Sequence, residues 1–429
     1  MSNQKIFCNV PWTNTHIYWD GSYGMCCSER IKPSQDPTHN VKNSNIVEWY
    51  TSDVMKGLRS QIKQDTQLPN CQSCYREEQY GSESRRIKEN FKSAIFTEQA
   101  FEKSYQQSPW FDRFNRDIQD DEMPIDWHVD LGNECNLACK MCNPDASSKI
   151  ATQYKKWKIF DGPILNNWMH DEPAWDRFLK DIVSIPKLNR VHFMGGEPTI
   201  NKRLTEFLQF MVANARTGVS ISFVTNGTRV NSELIELLKN FKTFDIELSI
   251  ESIGNNNAYI RQGSNTSDII ENILYLKDKQ SEQFHLVLRT APQLLSINTY
   301  HELIRWAYDN ELPIQSIPLS GPRHYQISVL PKEIRNQLLP KYYELLEFLQ
   351  SKNTQPAGIA TGRMIGANAL QLSREVNAMI HMLNADEPPD AEALRHVLIA
   401  DMKRWDTIYG LDACEIYPEY REFFKSYGY

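Results

Sequence analysis

Asp126-Trp127-His128-Val129-Asp130-Leu131 runs through Gly132-Asn133-Glu134 into Cys135-Asn136-Leu137-Ala138-Cys139-Lys140-Met141-Cys142. The first six residues alternate apolar and polar side chains like a strand, and the cysteines that follow are spaced C-x3-C-x2-C. That spacing supplies three thiolates and no fourth. A closed four-cysteine site carries electrons or holds structure, whereas a four-iron cluster with three protein ligands leaves one iron open to a small molecule. A tetrahedral structural zinc needs four ligands, usually in paired motifs, and no histidine lies near enough in sequence to complete this set.

Working outward, short strand-like runs alternate with amphipathic helix patterns from about residue 124, the signature of a parallel α/β architecture. Strands are expected at 126–131, 189–194, 219–225, 244–250, 284–290 and 314–319. Helices fit between them near 145–158, 202–216, 231–241, 266–280 and 298–310, with Asn231, Ser267 and Asn298 as N-caps. Six βα units are too few for a closed eight-stranded barrel. On the fourth run Ile246, Leu248 and Ile250 share one face, and Glu247, Ser249 and Glu251 the other. His128, Asp130, His192, Ser220, Ser222, His285 and Arg289 repeat that polar placement, as in a sheet lining a chamber for a polar ligand; an ordinary hydrogen-bonded core would also hold such groups.

The cysteine run resembles the cluster-binding motif of radical S-adenosylmethionine (radical SAM) enzymes, whose core is a partial (β/α)6 barrel and whose open iron chelates SAM. Met141 stands where the family often has an aromatic residue, and an apolar, polarizable side chain still packs on adenine. Met194-Gly195-Gly196-Glu197-Pro198, after the second strand, looks like the family's GGE motif, which implies that Gly195, Gly196 and Glu197 meet the SAM ammonium. Thr225-Asn226-Gly227-Thr228 follows the third strand, placing Asn226 among the cofactor contacts, and Ser249 resembles a SAM ribose or carboxylate contact. Tyr259-Ile260-Arg261-Gln262-Gly263 resembles a run in which the arginine forks onto the SAM carboxylate. The resemblance implies reductive cleavage of SAM and hydrogen abstraction from a small molecule or peptide, with flavodoxin or ferredoxin as electron donor. Asp130, His192, Glu247 and Arg289 are the expected catalytic and substrate-facing residues of the chamber. The competing class is a non-catalytic iron-sulfur or zinc protein that keeps the fold.

A second cysteine group lies at the N-terminus: Cys8 in C-x2-P-W, Cys26-Cys27 after Asp20-Gly21, and Cys71-Gln72-Ser73-Cys74. Four thiols close a site over zinc or over a four-iron cluster, and spacing alone does not choose. The order looks like half of a SPASM domain, the twitch form that binds one auxiliary 4Fe-4S cluster. That likeness implies Cys8, Cys26, Cys71 and Cys74 as ligands, with Cys27 the rival of Cys26. The module commonly follows the barrel and here precedes it.

Three parts are therefore expected: a twitch-like module over 1–110, a barrel over 120–325, and an extension over 326–429 with helices near 331–351, 367–384 and 390–408. The 429 residues carry a formal charge of −7 and 41% hydrophobic residues, which argues against a general nucleic-acid binder. Apolar runs fall short of a membrane span, and no signal-peptide pattern follows Met1. A cytoplasmic protein is expected, its nine cysteines serving metals rather than disulfides. Arg85, Arg86, Lys88 and Lys92 are read as a solvated helix face, and Cys414 as a buried structural thiol.

Overall fold

The computed structural model describes residues 8–29, 31–79, 84–91, 118, 122–165, 167–352 and 369–429. Its ten strands are β1 (Asn14–Ile17), β2 (Tyr23–Gly24), β3 (Asp126–Asp130), β4 (Ala138–Cys139), β5 (Arg190–Met194), β6 (Ser220–Thr225), β7 (Thr243–Ser249), β8 (Arg261–Gln262), β9 (Phe284–Thr290) and β10 (Ile314–Ser316). Eight form one sheet in the order β10-β9-β7-β6-β5-β3-β1-β2, and β4 pairs with β8 in a second. Six strands from β3 to β10 follow one another in chain order, all parallel, as in a partial (β/α)6 barrel left open.

The alternation seen in the sequence sorts the two faces. Trp127 and Val129, Val191 and Phe193, Ile221 and Phe223, and Leu286 and Leu288 are buried on the outer face. There Trp127 meets Phe178 of helix Glu172–Ser184, and Phe193 meets Phe207 of helix Lys202–Ala213, at ring separations of 6.0 and 4.9 Å. Such burial removes large apolar areas from water and is the main force joining helices to sheet. The polar face turns the other way.

All six expected barrel strands are present, the last ending at Ser316. Helix Glu172–Ser184, capped by the Asp171 side chain on the Ala174 N–H, adds a helix that the periodicity reading passed over. Asn231 caps its helix as expected. Ser267 does not: Asn265 takes that role and accepts the Ser267 N–H, because the chain enters the helix two residues earlier. Asn298 is replaced by Thr299 at the next helix start, its side chain turned to Glu419.

The N-terminal module joins the barrel sheet directly. β1 lies parallel to β3, pairing Asn14 through Ile17 with Asp126 through Val129, and β2 closes that edge antiparallel. At the opposite edge, helix Ala369–Asn384 of the extension bonds to β10, with Gln371 Nε2 donating to the Ile314 carbonyl at 2.5 Å and Ser316 donating to Glu375. The extension's helices Lys332–Ser351, Ala369–Asn384 and Ala391–Tyr409 lie close to their expected positions, and Cys414 is buried. The loop 358–362 and Lys92 lie outside the described residues. No helix among the described residues is long and apolar enough to cross a membrane.

Candidate metal centres and chamber

Cys135, Cys139 and Cys142 ride on the loop that leaves β3 at its carboxyl end, where ligands gather in such sheets. The loop is tied internally by Ser147, whose hydroxyl donates to the Leu137 carbonyl at 2.8 Å, and by Asn133, whose amide donates to Pro144 and Ile164 carbonyls. Each motif singled out in the sequence then grips it. The Glu197 N–H donates to the Glu134 carbonyl at 2.7 Å. A Cβ on Gly195 would lie 2.6 Å from the Gly132 oxygen, and one on Gly196 2.1 Å from the Glu134 oxygen; both glycines also hold positive φ, 81° and 57°. The two glycines therefore let two backbones touch. Asn226 donates to Asn136 Oδ1 at 2.8 Å, while Asn136 donates to Thr228 at 2.9 Å. In the β4–β8 pair Cys139 stands opposite Arg261, and the Lys140 N–H donates to the Ile260 carbonyl at 2.9 Å.

Cys139 is buried and Cys135 and Cys142 are half-buried. Burial pushes Cys135 up to about 12, with Cys139 adding to the rise. Cys142 is pulled down by the hydrogen bond it receives from Cys139. Three soft donors held together with little water suit a thiophilic metal, whose binding takes off the protons that burial retains. Arg261 is buried beside them, its Nη1 3.9 Å from Cys139 Sγ and its Nη2 bonded to Glu251 at 2.6 Å. Its Nε has no hydrogen-bond partner among the described residues, an orphan donor that fits a ligand carboxylate. Glu197 is otherwise engaged: its carboxylate accepts from the Thr199 N–H and hydroxyl, the Thr225 hydroxyl and the Asn226 N–H. Those four bonds fill a carboxylate's usual capacity, so the side chain locks two motifs together. Ser249 is buried at the end of β7, and Met141 is half-buried.

Cys8, Cys26, Cys71 and Cys74 line one recess enclosing about 480 Å³ of empty space, part of it open to solvent. Burial raises Cys8 and Cys74, and lifts Cys71 to about 12. Cys27 is not in that lining; its thiol bonds with that of Cys26 and lies within contact of Arg85 Nη1 on helix Arg85–Phe91. Among the described residues no three His, Cys, Asp or Glu side chains enclose a single metal ion.

The polar face carries a row of buried polar side chains. The strand register aligns His16, His128, His192, Ser222, Asp245 and His285 in one row across six strands. His192 Nδ1 is 2.7 Å from Ser222 Oγ, His285 Nδ1 is 2.9 Å from Asp245, and the His128 and His192 rings are 4.7 Å apart. Above the row Arg289 pairs with Glu247, and His16 Nε2 lies 3.2 Å from Asp130. Arg85 reaches in to His128 Nε2 at 2.8 Å, and Arg190 bonds Asp126 with both Nε contacts at 3.0 Å. Burial, with the neighbouring arginines, drops His192 to about 3. Against burial, Arg289, His192 and Arg190 hold Glu247 at about 2.

Asp130, His192, Glu247 and Arg289 thus lie on one polar face of the sheet. His16, Cys27, Arg85 and Arg190 join them and were missed by sequence reasoning. Only the alternation of Arg190 with His192 was a local signal; the others come from the displaced module. The reading of Arg85 and Arg86 as a solvated face is corrected, since Arg85 reaches His128 and Arg86 pairs with Glu78 in the interior. These two arginines turn inward because acidic and thiol partners stand there.

Residues 129–293 match the model of the radical SAM superfamily, and residues 8–75 match the iron-sulfur cluster-binding domain SPASM. The chain therefore carries a radical SAM domain over 129–293 and, ahead of it, a SPASM-type iron-sulfur domain over 8–75. The cofactors these domains imply are a 4Fe-4S cluster with S-adenosylmethionine and an auxiliary iron-sulfur cluster. An uncharacterized protein of Methanocaldococcus jannaschii is 27% identical over 235 residues, 49% of this chain and 51% of that protein. A probable GTP 3′,8-cyclase of Pyrococcus abyssi is 24% identical over 231 residues, 53% and 66% of the two chains. The solved structure of native anSMEcpe with bound AdoMet gives a TM-score of 0.39 at 19% identity, covering 53% of this chain and 63% of that one. The matched stretch spans about half the length of the Methanocaldococcus relative.

Proposed function

We propose that this chain is an active radical SAM enzyme that reductively cleaves S-adenosylmethionine and abstracts hydrogen from a substrate in the polar chamber. One observation carries the reading: three thiols on one loop, gripped by the GGE, TNGT and YIRQG segments, with an orphan Arg261 donor beside them. Cys135, Cys139 and Cys142 would hold the SAM-ligating 4Fe-4S cluster, and Cys8, Cys26, Cys71 and Cys74 the auxiliary one. When bound, the open-iron cluster with SAM supplies a 5′-deoxyadenosyl radical. The chain's own residues bind and orient. Arg261, anchored to Glu251 through Nη2, would hold the SAM carboxylate through Nε. Gly195 and Gly196 would meet the SAM ammonium, Glu197 fixing their loop through its bonds to Thr199 and Asn226. Asn226, Ser249 and Met141 complete the cofactor contacts.

In the chamber, Arg289 and Glu247 present a paired charge and His192 a neutral ring. A polar small molecule suits this lining, and a peptide side chain inserted through the open barrel would meet the same groups. Cys8, Cys26, Cys71 and Cys74 would hold an auxiliary cluster whose chemistry is electron transfer, either inward or away from a substrate radical, with flavodoxin or ferredoxin as external donor. A cytoplasmic setting keeps the nine thiols, all free of disulfides here, available to iron. The division into 1–110, 120–325 and 326–429 is kept as the working domain scheme.

Anaerobically reconstituted protein should hold about eight irons in two four-iron clusters. With dithionite and SAM it should release 5′-deoxyadenosine. Replacing Cys135, Cys139 and Cys142 together by alanine should halve the iron and stop that release. Full iron in the triple variant removes the barrel assignment.

A further inference from the structure

Lys140 sits between two of the barrel thiols and is only 1% exposed. Its Nζ has no hydrogen-bond partner among the described residues. It lies instead over two ring faces, Tyr259 at 4.1 Å and Trp405 at 4.7 Å. Trp405 belongs to helix Ala391–Tyr409 of the C-terminal extension and is fully buried. Its ring packs in a small separate core with Ala138 and Ile150, against which Cys142, Tyr154 and Trp157 also lie. Its Nε1 donates to Asp401 at 3.1 Å. The extension thus covers the thiol loop and holds a lysine there.

An apolar side chain would fill this box at lower desolvation cost, since ring faces hold an ammonium without neutralising it. Each electron added to a cluster adds one negative charge, and a fixed cation nearby favours that state in a medium of low dielectric.

We propose that Lys140, boxed by Tyr259 and Trp405, is a positioning charge that raises the reduction potential of the SAM-ligating cluster. The C-terminal extension is thereby part of that cluster's environment. The inference rests on the assignment of Cys135, Cys139 and Cys142 to that cluster.

The test is an EPR-monitored redox titration of the reconstituted full-length chain, following the signal that changes when SAM is added. Lys140→Met should shift the midpoint downward, and Lys140→Arg, which keeps the charge, should restore it towards wild type. An unchanged midpoint in Lys140→Met, or equal shifts in the Met and Arg variants, overturns the proposal. If Lys140→Met fails to fold or to hold iron, Lys140→Gln decides: a fall supports the proposal and no fall overturns it. A wild-type protein with no SAM-responsive signal would instead overturn the cluster assignment, and this inference with it.

Discussion

Arg261 and Glu251 form the most consequential single pair in the barrel. Glu251 is fully buried, accepting from Arg261 Nη2 at 2.6 Å and from the Ala291 N–H at 2.7 Å. Removing one partner of a buried pair leaves an uncompensated charge and costs about 3–5 kcal/mol. Arg261→Ala should therefore lower unfolding free energy by that order in urea titrations, and adding Glu251→Gln should recover part of it. An unchanged midpoint in the single variant would show the pair to be energetically idle. His192 makes a pH prediction. Its folded value of about 3 lies below the ordinary 6.5, so between those limits the unfolded chain binds a proton that the folded chain refuses. Stability contributed by the neutral ring is complete above 6.5 and is lost as pH falls. Glu247, held at about 2 against 4.5, acts with the same sign at lower pH. His192→Asn should flatten the stability curve between about pH 4 and 6 by roughly 1.4 kcal/mol per pH unit, the slope for one proton. Parallel wild-type and variant curves would contradict the assignment.

At the level of elements, the two thiol sets are built on separate supports. One hangs on the loop after β3 and is clamped by β8; the other lies around Cys8, the Cys26 turn and the start of helix Gln72–Gln79. Cys71→Ala with Cys74→Ala should accordingly remove about half the iron and leave some SAM cleavage uncoupled from product. Simultaneous loss of both clusters would show that the recess thiols also support the barrel loop. The link between the two supports is Arg85, which touches Cys27 on one side and His128 on the other.

Across the whole molecule, the two flanking parts complete the sheet rather than decorate it. β1 covers the edge of β3 along its first four residues, and helix Ala369–Asn384 covers β10. An uncovered strand edge offers unpaired N–H and carbonyl groups to other chains. A chain starting at residue 120 should therefore pellet or form large aggregates on size-exclusion chromatography, although it retains the whole expected barrel. Recovery as a soluble monomer would show that β1 is dispensable. The same geometry explains how a module displaced to the N-terminus reaches the chamber: a parallel β1 beside β3 delivers His16, and the chain beyond it delivers Cys27 and Arg85.

Residue spacing by itself determined the three thiols on one loop, the six strands and the polar face, because these are local properties. Alternation of period two assigns a face, and three cysteines within eight residues must share a loop. Glycines in Gly195-Gly196 were legible as a close approach, but not that the approach is to the cysteine loop itself. Tertiary structure alone decided that Cys26 lines the recess and that Cys27 meets Arg85, since two adjacent cysteines carry no sign in the sequence of which distant groups they face. It also decided that Glu197 spends its carboxylate on protein donors, that a basic helix face turns inward, and that Trp405, over 260 residues downstream, closes on Lys140. Those outcomes depend on where distant charges, thiols and rings meet, and pairwise spacing along the chain carries no record of that.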